Sequence, residues 1–363
     1  MKILQIIPRV PPPICGVADY SLNLARALRS QHGIETTFVS GAPPAPGVEK
    51  WGAFGLVGAT RHHPREFASQ LMERPGSEGL ILHYSAYGFA KRGTPLWLAL
   101  ALLKLKKVRP AMPIVVMFHE LGSRGTTWRS SSFWNWPIQQ WIISRLYRTA
   151  SAVVTNRAAY AAELLRKNPG HLQKTTVLPV SSGFGEPAFT RELSQRDNAI
   201  AFFGWPMPPA KWATLRPRLL RAIELSKASK LVVFRHPLPA DFDPGIPTVT
   251  HGILPPEKVS AALADCRFAF SDYDPAYLGK SSLFAAYCAH GLATFIHEGS
   301  GTLEDGIVVG QHVQGLFEST YPSESVASNA HTWYNMHNIS RMGEHFANLI
   351  KTKAPEAVFK NRN

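Results

Sequence analysis

The chain has 363 residues, 45% of them hydrophobic and 18% charged, and 39 Lys and Arg against 25 Asp and Glu give a formal net charge of +14. Scattered Gly and Pro without a period exclude collagen-like and disordered classes, and the length exceeds what one core sustains, so two domains are expected. The three cysteines, Cys15, Cys266 and Cys288, have no C-x-x-C spacing, which argues against a disulfide framework or zinc site and fits a reducing cytoplasm.

Residues 2–7 are apolar and β-rich, and Pro8 with Pro11, Pro12 and Pro13 cannot donate ladder hydrogen bonds, so a buried parallel strand ends there. That run reads as a strand and not as a secretory signal. Cys15-Gly16 then opens a helix with Leu22, Leu24, Ala25 and Leu28 on its apolar side. Gly16 permits close backbone approach, and the helix amides point at the same space, so this is a ligand-binding turn or, more plainly, an ordinary strand-to-helix turn.

Further strands are expected at residues 36–39, 79–83, 114–118, 152–155 and 176–178, with helices between most of them and a Gly/Pro-rich loop over 43–58. The alternation argues for a parallel sheet wrapped by helices. The apolar stretch 96–105 is too short to span a bilayer before the lysines at 104, 106 and 107, so no integral membrane protein is expected. Residues 179–187 break the pattern and are placed as the linker, dividing the chain into domains 1–185 and 186–363. A second α/β series follows, with strands at 199–203, 230–234, 248–251, 267–271 and 293–296, and helices near 215–225, 256–264 and 281–289. The tail 325–350 is helical in pattern and is expected to pack back on the body.

The charge is uneven: residues 1–190 hold 22 Lys and Arg against 9 Asp and Glu, and the rest is nearly balanced. The first half therefore suits an anionic partner, a lipid surface or a polyanionic acceptor, although a solvated basic face explains the charge equally well. Nucleic acid is disfavoured because none of its usual binding motifs is present.

Three strand-end segments carry chemistry-bearing residues. The first is Cys15-Gly16. The second is Phe118-His119-Glu120-Leu121-Gly122, where His119 serves a polar ligand or proton transfer, or is a structural histidine held by backbone groups; His83-Tyr84 is a weaker site of the same kind. The third is Gly279-Lys280-Ser281-Ser282, where a serine caps a helix whose amides, with the Lys280 ammonium, suit a phosphate. It lacks the Walker A spacing, and a capped helix beside a solvated lysine is the alternative. Lys211, after Phe203-Gly204, and Arg235-His236 are basic positions that would converge on the same phosphate or lie on the surface.

The segments PRVPPPICGVADYSLNLARAL, VVMFHELG, VLPVSSGFGEP, AFFGWPMPPAK and GILPPEKVSAALADC with GKSSLFAAYCAHGLATF together resemble family 4 (group 1) glycosyltransferases of the GT-B fold. The resemblance implies two Rossmann-like α/β domains facing across a cleft, the first binding an acceptor and the second a nucleotide-sugar. It implies a retaining, metal-independent, hexosyltransferase-type enzyme of polysaccharide biosynthesis that uses no cofactor beyond its sugar-nucleotide donor. The family's glycine loop matches Gly16, with Cys15 at its usual first glycine. Its strand-end histidine matches His119, and its phosphate-binding lysine matches Lys211, although Trp205 stands where an arginine is usual. Its paired glutamates fall at Leu278 and Ala286, and Asp272, Asp274 and the 279–281 turn are the substitutes at hand.

Catalytic roles are therefore expected of His119, Lys280 and Lys211, and donor binding of Gly16, Gly204, Arg235, Gly279, Ser281 and Ser282. Acceptor binding is expected of Cys15, His83 and Glu120, and no residue is assigned to a metal. The acceptor is expected to be a glycan or a lipid-linked saccharide and the protein cytoplasmic; residues 128–148 are expected either to touch an anionic membrane surface peripherally or to pack on the sheet and cover the acceptor cleft. There Trp134, Trp136, Trp141, Ile142, Ile143 and Leu146 stand beside Arg129, Arg145 and Arg148. The competing function is a non-catalytic subunit of the same fold that assists a partner enzyme.

Overall fold

The computed structural model describes residues 1–10, 15–74, 76–123, 125, 127–169, 174–297, 302–317 and 321–352. Pro11, Pro12 and Pro13 lie outside the described residues. The chain divides into two compact units, Met1–Leu178 with the C-terminal segment from Ile339, and Pro179–Asn338.

The first unit is built on an eight-stranded sheet in the order β3-β4-β2-β1-β5-β6-β7-β8. Its strands are β1 Lys2–Ile7, β2 Glu35–Ser40, β3 Lys50–Trp51, β4 Phe54–Gly58, β5 Ser77–Tyr84, β6 Ile114–Phe118, β7 Ala152–Thr155 and β8 Thr175–Val177. All pairs are parallel except β3 with β4. The central strands are continuous apolar runs because helices cover them: α1 Gly16–His32, α2 Pro64–Met72, α4 Leu96–Val108, α5 Ser131–Thr149 and α6 Ala158–Lys167, with a single turn α3 Ala86–Phe89 after β5.

The loop expected over 43–58 is in part the edge of the sheet. Phe54 and Leu56 are buried while Gly55 between them is exposed, the two-residue period of a strand, and Thr37 pairs with Gly55. Glycine lowers the β-propensity of this segment, and pairing with β2 overrides it.

The second unit has a six-stranded parallel sheet in the order β11-β10-β9-β12-β13-β14. It comprises β9 Asp197–Phe203, β10 Lys230–Phe234, β11 Thr248–His251, β12 Cys266–Ser271, β13 Ala293–Ile296 and β14 Gln314–Gly315, with α7 Pro209–Ser226, α8 Pro256–Asp265, α9 Ser282–Ala289 and α10 Ser323–Asn335. Phe202, Phe203, Phe234, Phe270 and Phe295 are buried in its cores.

The division differs from the expected 185/186 boundary. Residues 180–186 are tied to the second unit: the Val180 amide donates to the Gly279 carbonyl at 2.9 Å and the Gly183 amide to the Ser282 carbonyl at 3.2 Å. The Tyr334 hydroxyl accepts from the Ser182 amide at 3.0 Å and donates to the Glu186 carboxylate at 2.5 Å. The tail likewise breaks into two helices. α10 stays in the second unit, whereas α11, Ile339–Lys351, packs on α1 of the first, burying Met342, Phe346, Ala347 and Ile350. Gly343 makes that close: a Cβ there would sit 3.0 Å from the Ala27 methyl.

Each sheet reverses its strand order once, between β1 and β5 and between β9 and β12. In open parallel sheets, ligands bind outside the carboxyl ends of the strands beside such a reversal.

Candidate functional site

A line of polar side chains runs diagonally across four neighbouring strands of the first sheet, from near the amino end of β2 to just past the carboxyl end of β6. Thr36 of β2, Gln5 of β1, His83 of β5 and His119, just after β6, sit in an otherwise apolar layer. Gln5 Nε2 lies 3.2 Å from Thr36 Oγ1, Gln5 Oε1 2.8 Å from His83 Nε2, and His83 Nδ1 3.2 Å from His119 Nε2. Tyr20, from the second turn of α1, sets its ring edge against both imidazoles, with centroids 5.7 Å from His83 and 4.9 Å from His119. Burial, with His119 beside it, holds His83 well below the usual histidine range, so its ring is neutral. Burial also raises the Tyr20 phenol.

Among the residues expected to meet an acceptor, His83 has 0% exposure and sits against His119 rather than at the surface. Glu120 is engaged locally: its Oε1 accepts from the Ser85 hydroxyl at 2.7 Å and the Tyr87 amide at 3.2 Å, fixing the turn after β5. Cys15 is the extended residue before α1, half-buried, and its carbonyl accepts the Asp19 amide at 3.0 Å. Among the described residues, a Cβ on Gly16 would meet nothing within 4 Å.

The sequence reading missed Gln5, Tyr20, Asn156 and Arg157. The last two follow β7 and are buried, and Asn156 Nδ2 reaches the His119 carbonyl at 3.5 Å. A Thr-Asn-Arg run directly after an apolar strand was the available signal.

In the second unit the expected basic turn is present. Pro275–Lys280 forms a 3-10 turn opened by Asp274, whose carboxylate accepts the Ala276 amide at 3.0 Å. Ser281 is buried and caps α9, its hydroxyl accepting from the Phe284 amide at 3.2 Å, while Ser282 is exposed at the first helical position. Gly279 is buried where a Cβ would clash with the Asp305 carboxylate at 2.4 Å. Lys280 leads from this turn, half-buried. Leu278 and Ala286, where the resemblance would put the family's paired glutamates, lie in the core at 1% and 0% exposure. Asp272, a possible substitute, accepts from Arg218 of α7 at 2.9 Å and lies 3.9 Å from His297, so its charge is already compensated.

The remaining expected positions have mixed placements. Gly204 is explained by packing, because a Cβ there would stand 2.1 Å from the His236 carbonyl oxygen. Arg235 ends β10 at φ 76°, a left-handed conformation that costs a non-glycine residue about 1 kcal/mol or more. Lys211 is exposed in the first turn of α7. A cavity of about 410 Å³ lined by Thr190, Arg191, Arg196 and His290 opens at the opposite, amino edge of this sheet. Arg196 is engaged there by the carbonyls of Cys266, His290 and Gly291 at 2.8–3.3 Å.

No protein-family model matches the chain, and no curated relative matches it in sequence. Solved structures do match in fold. An alpha-glucosyltransferase in complex with UDP-glucose and DNA containing an abasic site superposes with a TM-score of 0.58 at 12% identity, over 96% of this chain and 99% of that one. The lipopolysaccharide outer core galactosyltransferase WaaB superposes with a TM-score of 0.58 at 12% identity, over 97% and 100%. TarM gives 0.59 at 8% identity, over 97% and 99%. The chain thus has the α/β fold of GT-B glycosyltransferases, with two parallel-dominated sheets.

Proposed function

We propose that this protein is a glycosyltransferase, similar to family 4, that moves a hexose from a nucleotide-diphospho-sugar to a glycan or lipid-linked acceptor in polysaccharide assembly. The observation that carries the reading is the placement of two different polar sites beside the strand-order reversals of a fold shared with glycosyltransferases. UDP-sugars are the first donors to test, because a fold neighbour binds UDP-glucose.

Breaking the sugar–phosphate bond builds negative charge on the departing pyrophosphate. The second unit answers that charge with Lys280, the α9 amides beside Ser281 and Ser282, and the basic Arg235 and Lys211, in place of a metal ion. Each fixed donor contributes about 3 kcal/mol to the transition state, the scale found for oxyanion donors. The first unit takes the acceptor near Cys15, with His119 holding a sugar hydroxyl. Transfer proceeds with retention of configuration.

A second reading, a non-catalytic subunit that assists a partner enzyme, is favoured by the apolar burial of Leu278 and Ala286 and the pairing of Asp272 with Arg218. Thermal shift with a panel of nucleoside diphosphates and sugar nucleotides separates the two. Selective stabilisation lost in Lys280→Ala, followed by sugar transfer to a lipid-linked acceptor, supports the enzyme. Nucleotide binding with turnover only in the presence of a partner supports the subunit.

The acceptor is presented at an anionic membrane. Between Glu78 and Glu163, Glu120 is the sole acidic residue against eleven Lys and Arg. On the outer faces of the adjoining helices α4 and α5, Leu96, Leu100, Trp134, Ile138 and Trp141 are exposed, while Ile142, Ile143 and Leu146 lie in the core, the packing alternative expected for that side of the segment. The Arg145 guanidinium lies 5.2 Å from the Trp141 ring centroid, a pairing suited to the headgroup layer. Among the described residues no helix is long and apolar enough to cross a membrane.

A further inference from the structure

Away from both strand-end sites, α8 and the end of α9 bring a serine and a histidine together. Ser260 Oγ lies 2.7 Å from His290 Nε2, and His290 Nδ1 lies 2.7 Å from the Ala286 carbonyl oxygen. A carbonyl oxygen only accepts, so Nδ1 carries the hydrogen. Burial, with Arg196 and His331 nearby, holds His290 below the usual histidine range against the opposing pull of the Ala286 bond, so its ring is neutral near neutral pH. Nε2 therefore keeps its lone pair and accepts from the Ser260 hydroxyl. The backbone fixes the histidine on either side: its amide donates to the Ala286 carbonyl at 3.0 Å, and its carbonyl accepts from Arg196 Nη1 at 2.8 Å.

His290 is one wall of the cavity of about 410 Å³ at the amino edge of the second sheet. Ala264 is another, and it stands one turn after Ser260 on the same face of α8. Ser260 itself is half-buried and not sealed in the core. We propose that Ser260 and His290 are a nucleophile and general base serving this cavity, a second site that hydrolyses esters of short, uncharged acyl chains. A nucleophile, a base within hydrogen-bond reach and a group that orients the base make up such a site, and here the orienting group is a backbone carbonyl in place of a carboxylate. Ser260 Oγ bonds to the ester carbonyl carbon while its proton passes to His290 Nε2, and that proton leaves with the alcohol as the ester C–O bond breaks. Water then attacks the acyl-Ser260 carbonyl and gives a proton to His290, which returns it to Ser260 Oγ as the carboxylic acid departs. Pro187, Ala188 and Phe189 offer an apolar wall to the acyl chain. Arg191, which also pairs with Asp265, brings positive charge to the same cavity, where the tetrahedral oxyanion needs it. The site lies within one unit and does not rest on the glycosyltransferase reading.

Reaction of the full chain with a fluorophosphonate, which phosphonylates activated serines, followed by peptide mass mapping, tests the pair. The expected result is an adduct on Ser260, formed about 10²-fold more slowly in His290→Gln, the lower end for loss of a general base. Turnover of p-nitrophenyl acetate is expected in the wild-type chain and is lost in Ser260→Ala. Urea midpoints establish that the variants are folded, and Ser260→Ala carries the comparison if His290→Gln is not. A folded wild-type chain without an adduct on Ser260, or an adduct rate unchanged in folded His290→Gln, shows that the pair only pins α8 to α9 and overturns the proposal. Ester turnover retained in Ser260→Ala overturns it as well.

Discussion

The two strand-end sites are built from opposite materials. The one in the first unit is buried, made of hydrogen-bonding side chains that bridge adjacent strands through Gln5, His83 and His119. The one in the second unit is cationic and backbone-rich, a glycine-bearing turn with a half-buried lysine and a capped helix start. A buried, hydrogen-bonded site is suited to discriminating hydroxyl groups, because an unmatched partner leaves buried polar atoms unsatisfied. A cationic turn at a helix start is suited to a phosphate, whose charge needs compensation more than shape. On the proposed function, the difference assigns the acceptor to the first unit and the donor phosphates to the second.

The largest effect separates the two sites directly. Lys280→Ala is expected to lower transfer roughly 10²–10³-fold, as for removal of one oxyanion donor, and to weaken nucleotide binding with it. His119→Ala is expected to lower transfer while leaving nucleotide affinity unchanged. Steady-state kinetics beside calorimetric titration with a nucleoside diphosphate checks both.

Much of this was legible in the sequence because apolar strands followed by abrupt polar residues mark sheet edges. The strands 2–7, 114–118, 230–234 and 293–296 were legible to the residue, and His119 and the 279–282 turn stand where the sequence placed them. Gln5 was hidden because a single polar residue inside a buried strand has no local signature; its meaning depends on Thr36 and His83, 31 and 78 positions away. The attachment of α11 to the first unit was hidden for the same reason, as periodicity identifies a helix but not the surface it meets. Gly204 was read as a ligand contact because a glycine required by a neighbouring carbonyl looks the same in sequence as one required by a ligand.

Glycine substitutions sharpen the contrast at the next scale. Gly204→Ala forces a methyl against the His236 carbonyl and is expected to cost roughly 1–3 kcal/mol of stability, the range for overpacking. Gly16→Ala adds a methyl that meets none of the described residues and is expected to leave stability within about 0.5 kcal/mol while weakening ligand binding. Urea midpoints of the two variants test this.

Acid sensitivity is expected of the same order. Burial pushes His337 down to about 4 from an ordinary 6.5, so the unfolded chain binds its proton first. Stability is therefore full above about pH 6.5 and falls by roughly 3 kcal/mol as pH drops to about 4, with His83 adding in the same direction. His337→Leu is expected to flatten this slope, read from urea midpoints at neutral and acidic pH.

The smallest effect concerns the outer face of α5. A paired Trp134→Ser and Trp141→Ser variant is expected to lose co-sedimentation with phosphatidylglycerol-containing vesicles at low salt while keeping its stability within about 0.5 kcal/mol, as for surface substitutions. Binding to nucleic acid but to no vesicle would redirect the basic surface to a different partner.

The most direct measurement is calorimetric titration of the full-length protein, its Lys280→Ala variant and its His119→Ala variant with UDP and UDP-glucose. The result expected is binding by the wild-type chain and by His119→Ala, with at least tenfold loss in Lys280→Ala, the scale of one charge-assisted contact. No binding by the wild-type chain, or equal affinity in Lys280→Ala, would contradict the placement of the donor on the second unit's basic turn.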